Sequence, residues 1–171
     1  MLNHFERILV ACNRWLLIVL LLAMACIVFA NVVLRYTTGD SIVWAEEVAR
    51  HLMIWVTFLG AGLVLRFGGH VAIDNLHQAV STPMARLLRT VVGLGIGAFA
   101  LVMTYSSILY VWATRFQTTA ATDIPIFWIY SAMPVGFFLL FIHLLFIVRG
   151  YIEDSSYEVS DEMDADAAAS L

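Results

Sequence analysis

Three stretches, Trp15 to Leu34, Thr90 to Trp112 and Ile126 to Val148, contain no Asp, Glu, Lys or Arg. Each is long enough to cross a bilayer, since about 20 helical residues rising about 1.5 Å each span a hydrocarbon core of about 30 Å. A chain carrying three such runs cannot bury them all in a core of its own. With 62% apolar residues, 13% charged residues and a mean hydropathy of +0.89, a water-soluble globule is excluded. The 171 residues are enough for one compact membrane domain with tails. The pattern therefore predicts an all-α integral membrane protein, with a membrane domain over residues 1–150.

A fourth span is less obvious. The apolar run Leu52 to Leu65 covers only about 21 Å as a helix, so crossing requires Ile42 to His51 as well. That added segment contains Glu46, Glu47, Arg50 and His51. The expected spans are thus about 15–34, 42–65, 90–112 and 126–148. The first has Arg7 and Arg14 before it and Arg35 behind it, and is too long for a cleaved signal core, so it reads as a retained anchor. Arginines near span ends stay on the cytoplasmic side. Arg7, Arg14, Arg66, Arg86, Arg89 and Arg149 fall on one side of a four-span arrangement, against Arg35 and Arg115 on the other. Both termini are expected to be cytoplasmic, which needs an even number of spans.

Between spans 2 and 3, Ile73, Leu76 and Val80 recur at helical spacing among Asp74, Asn75 and Gln78, predicting a short interfacial amphipathic helix. His70 and His77 flank it, too far apart to chelate one ion from a single helix. Ser81, Thr82 and Pro83 then predict an early start to the third helix. Residues 151–171 are rich in carboxylates and poor in large apolar groups, so a disordered acidic cytoplasmic tail is expected there. That tail supplies most of the formal net charge of −4, which consequently gives no indication of a nucleic-acid partner. Cys12 and Cys26 have neither metal nor disulfide spacing. Gly60, Ala61 and Gly62, Gly93 and Gly97, and Ala132 and Gly136 offer close helix contacts, and Pro134 should bend the last helix.

On a helical wheel Glu46, Glu47, Arg50 and His51 share an arc of about 140°. The pairs Glu46/Arg50 and Glu47/His51 are acid-first and four apart, a spacing that permits internal compensation. A charge at a helix centre costs about 2.5–3.5 kcal/mol, so this face must meet protein, water or headgroups. Three readings are open. The face is an electrostatic seam to another helix or subunit, or an ion or proton relay through Glu47 and His51 in an autonomous small carrier or efflux protein, or part of a haem site with His51 and His143. Depth counts against haem, because from the outer ends His51 lies about 14 Å deep and His143 about 26 Å.

NVVLRY (31–36), WAEEVARHLMIWVTFLGAGLVLRFGGHVAIDNL (44–76) and IPIFWIYSAMPVGFFLL (124–140) occur in this order across residues 30–150. In this combination the chain resembles the small membrane (Q, DctQ-like) subunit of tripartite ATP-independent periplasmic (TRAP) transporters. The resemblance implies a bacterial inner-membrane protein without catalysis or cofactor of its own. Its expected partners are a large membrane (M) subunit that moves the solute on a sodium gradient and a periplasmic binding protein that delivers a carboxylate-bearing solute, of dicarboxylate or sialic-acid type. Arg35, Glu47, Arg50, His70 and Asp74 match the family's polar positions. With Trp44, Glu46 and His51 they are the candidate structural or subunit-interface residues. The acidic tail departs from the family pattern.

Overall fold

A computed structural model describes residues 2–66 and 82–153. The helices are α1 (Leu2–Thr38), α2 (Ala45–Arg66), α3 (Thr82–Ala113), a short α4 (Ile126–Tyr130) and α5 (Ala132–Glu153). Four segments are long and apolar enough to cross a membrane: Glu6–Thr38, Ala45–Arg66, Pro83–Ala113 and Ile126–Val148. The charged segment is therefore helical and part of a span, although α2 begins at Ala45 rather than Ile42, whose carbonyl accepts from the Ala45 N–H at 3.0 Å. Helix α3 begins at Thr82, with Pro83 in its first turn, where a missing N–H costs nothing. The expected amphipathic segment, with His70, Asp74 and His77, and the acidic tail from residue 154 lie outside the described residues.

Helix α1 packs on α2, α2 on α5, and α5 on α3. The helices thus form a row, α1–α2–α5–α3, with α1 and α3 at its edges. The contact stripe on α1 is regular: Glu6, Val10, Asn13, Leu17, Leu20, Met24, Ile27 and Asn31 are all at least partly covered. Their alternating spacing of four and three is that of a left-handed helix pair, which keeps one narrow seam against a partner. Away from the seam α1 is bare, with Trp15 62%, Leu22 63% and Phe29 70% exposed. Such surface would aggregate in water and is solvated by lipid tails or a partner in a membrane.

Small residues set the inner contacts of the row. A Cβ on Gly136 of α5 would lie 2.6 Å from both the Cβ and the carbonyl oxygen of Phe58 on α2, so the two backbones touch there. A Cβ on Gly62 would lie 2.5 Å from Cδ2 of His143, whose side chain is fully buried between α5 and α2. The Gly93/Gly97 pair on α3 faces Val148 and Leu144 of α5, so that motif serves packing within the chain. Phe137 lies between Phe58 of α2 and Phe99 of α3, edge-on to each at centroid distances of 5.5 and 5.8 Å. The last span is interrupted at Ser131, because Pro134 has no N–H to give the Tyr130 carbonyl four residues back.

These contacts predict opposite signs for two equivalent substitutions. Gly136→Ala pushes a methyl into the Phe58 backbone and should destabilise the protein by about 1–3 kcal/mol despite the better helix propensity of alanine. Gly95→Ala meets nothing within 4 Å and should be neutral or stabilising. Thermal unfolding of both variants in the same detergent checks the pair.

Candidate functional site

The charged face begins where α2 begins. Glu46 and Glu47 occupy its first turn, where unpaired N–H groups and the helix dipole favour acids. The preceding turn is held from α1: buried Asn31 accepts the Ile42 N–H through Oδ1 at 2.7 Å. From the far edge of the row, the connection after α3 comes back over Glu47. Its carboxylate accepts the Ala121 N–H at 2.8 Å through Oε2, and through Oε1 the Thr122 N–H at 3.1 Å and the Thr122 hydroxyl.

The connection is built to present those donors. Thr119 N–H donates to the Ile124 carbonyl at 3.0 Å, and the Ile124 N–H returns to the Thr119 hydroxyl at 3.1 Å. Thr118 and Pro125 form an antiparallel bridge, and Ile126 N–H reaches the Gln117 carbonyl at 2.8 Å. Asp123 takes φ +52, a left-handed conformation tolerated by Asp, at the turn after which Ile124 pairs back with Thr119. The Thr119 and Thr122 hydroxyls lie 2.7 Å apart, completing a small polar cradle around one carboxylate.

The two acid-first pairs expected along α2 do not close into ion pairs. Glu47 instead accepts preorganised donors of the loop. Arg50 and Glu46 remain exposed, and His51 is partly covered. Glu46 shares a crevice of about 140 Å³ with Asn31 and Arg35 between α1 and α2. Arg35 itself lies over the Tyr36 ring, 5.6 Å from its centroid, and Trp44 is 45% exposed. Arg35, Glu46 and Glu47 are thus gathered at one end of the row, while Arg50 and Trp44 face outward from it. His70 and Asp74 fall outside the described residues.

A second polar group joins the helices at the other end. Buried Arg66, at the end of α2, donates through Nη2 to Glu6 Oε1 at 2.7 Å, tying α2 to the first turns of α1. Between the ends, buried Asn13 donates through Nδ2 to the Leu59 carbonyl at 3.0 Å. Glu6, Asn13 and Asn31 were not among the candidates read from the sequence. Their signal was present, because spacings of 7 and 18 residues return to one helical face. His143 lies at the level of Gly62, about 16 Å along α2 from His51 by helical rise, so the two imidazoles do not meet.

Residues 24–151 match the family model for the DctQ component of tripartite ATP-independent periplasmic transporters. The chain belongs to the DctQ family of small TRAP transporter subunits. Members of this family are transport components, not enzymes. The chain is 33% identical to the ectoine TRAP transporter small permease protein TeaB of Halomonas elongata over 127 residues, covering 73% of this chain and 66% of that protein. It is 30% identical to the C4-dicarboxylate small permease DctQ of Rhodobacter capsulatus, covering 68% of this chain and 53% of that one. A 27% identical stretch of the sialic acid TRAP transporter permease SiaT of Haemophilus influenzae matches 72% of this chain and 20% of SiaT. The chain therefore spans between half and two thirds of the first two relatives' lengths.

Within this DctQ-family fold the Glu47 cradle and the Asn13 contact carry separate loads. Glu47→Ala should speed amide exchange at Ala121 and Thr122, while Arg50→Ala, whose side chain is exposed, should leave those amides unchanged; hydrogen exchange read by mass spectrometry checks this. Asn13→Ala should lower stability by about 0.6–2 kcal/mol, the range for a polar contact between membrane helices. Stepwise unfolding in detergent measures it.

Proposed function

We propose that this chain is the non-transporting scaffold subunit of a sodium-driven TRAP importer in the bacterial inner membrane, with both termini cytoplasmic. A periplasmic binding protein delivers a carboxylate-bearing solute, the large membrane subunit carries it and couples it to sodium, and this chain widens the static frame beside that subunit. The observation that carries the reading is the use of polar groups. Glu47, Asn31, Asn13, Glu6 and Arg66 each make a hydrogen bond or ion pair that joins elements of this one chain. Groups committed in this way hold a frame together, whereas a carrier needs polar groups free to exchange between solute, ion and water.

Two further points support it. The row leaves broad apolar faces on α1 and α3 for a large neighbour. In SiaT, and in the isethionate TRAP transporter permease DctMQ of Oleidesulfovibrio alaskensis, the matching region is 20% and 18% of a longer polypeptide, which would place the rest of the permease beside it. Relatives named for ectoine, C4-dicarboxylate, sialic acid and isethionate all match this chain, so the solute is chosen elsewhere in the system.

The purified chain reconstituted alone in liposomes should give no sodium- or proton-driven uptake, and uptake should appear only with the large subunit and binding protein. Arg50→Ala should reduce co-purification with the large subunit and leave the sodium dependence of uptake unaltered. Flux from the isolated chain, lost in Glu47→Ala, overturns the scaffold reading in favour of an autonomous proton-linked carrier.

A further inference from the structure

The end of α3 and the turn after it read YVWATRF over residues 110–116, placing Arg115 between two aromatic residues just beyond an apolar span. The guanidinium carbon lies 4.2 Å from the centroid of the Trp112 ring and 4.3 Å from that of Phe116. Its Nη1 donates to the Trp112 carbonyl at 2.6 Å. Three contacts fix a side chain that is ordinarily mobile, and they use only part of its five-donor edge. Among the described residues these contacts are all to rings or backbone, and none is to a carboxylate.

Next to this cation is a groove of about 710 Å³. Ile108, Leu109 and Trp112 of α3 form one wall, and Phe127 of α4 and Pro134 of α5 form the other. The groove lies at the break between α4 and α5, where Pro134 interrupts the helix. It is open sideways, since Ile108, Leu109 and Trp112 are each more than half exposed. Its walls offer hydrocarbon and aromatic surface, with Arg115 as the charged group.

We propose that this groove binds one phospholipid of the surrounding leaflet, its acyl chain along the α3–α4–α5 wall and its phosphate on Arg115. The size falls within the range of about 300–1,000 Å³ typical of clefts that hold a small molecule. The level fits, because a cation at the end of a span, flanked by Trp and Phe, lies where lipid phosphates are. The charge fits as well: a guanidinium preorganised by ring stacking pairs two oxygens of a phosphate in one geometry. A protein helix in the same groove would need a carboxylate at one fixed depth, whereas every phospholipid of the leaflet brings an anion to that depth. The inference does not depend on the scaffold reading.

The test uses the full chain, freed of co-purified lipid by detergent exchange and titrated with dioleoylphosphatidylglycerol under native mass spectrometry. One lipid per chain should be retained, with apparent affinity falling about tenfold in Arg115→Ala and recovering in part in Arg115→Lys. Leu109→Trp, which fills the groove and leaves the charge, should lose retention as well, with circular dichroism verifying that each variant is folded. Dioleoylglycerol, which has no phosphate, should bind wild type and Arg115→Ala alike and weakly. Equal retention of phosphatidylglycerol by wild type, Arg115→Ala and Leu109→Trp overturns the proposal, as does equal binding of the two lipids by wild type. Benzoylphenylalanine in place of Phe116, photolysed in cell membranes, should yield a lipid adduct; a protein adduct instead assigns the groove to a partner helix and overturns it too.

Discussion

Hydrocarbon offers no hydrogen-bond partner, so a polar group placed in a membrane helix has to be received by the protein itself. Helix α2 concentrates that demand. Its first turns bring Glu46, Glu47, Arg50 and His51 into a span that needs them for length, and its last residue is a buried Arg66. The chain answers from both sides. The loop after α3 closes its Ala121 and Thr122 donors on Glu47, and α1 supplies Asn31 to the turn before α2, Asn13 to the Leu59 carbonyl and Glu6 to Arg66. The most polar helix is consequently an inner member of the row.

The row itself follows from where small residues and polar groups are spent. Gly136 lets α5 touch the α2 backbone, Gly62 makes room for His143, and Gly93 and Gly97 admit α5 side chains against α3. Once α2 and α5 are joined in this way, α1 and α3 each have one partnered seam and a wide remaining surface of large apolar residues. A closed bundle would hide such surface. An open row leaves it outward, where lipid tails can cover it.

The polar seam of α1 was written in the sequence at a readable period. Glu6, Asn13 and Asn31 fall on one face, and Val10, Leu17, Leu20, Met24 and Ile27 fill the intervals. The acid-first pairs on α2 were readable too, and misleading, because spacing along one helix cannot disclose a competitor 75 residues away. Ala121 and Thr122 read as ordinary residues of a connection; only the folded loop brings their amides and the Thr122 hydroxyl onto one carboxylate.

Length and hydropathy determined that four segments are long and apolar enough to cross a membrane and that the charged segment belongs to one of them, and three linked motifs pointed to the family of small TRAP subunits. These are properties of segments, decided by how far an apolar helix reaches and by local composition. Which helices touch, which donor receives Glu47, and that the helices lie in a row were decided only in the tertiary structure. The physical reason is that a buried polar group is satisfied by whichever donor the fold holds in place. The donors that meet Glu47, and the Phe58 backbone that meets Gly136, are distant in sequence and adjacent only once the helices have packed.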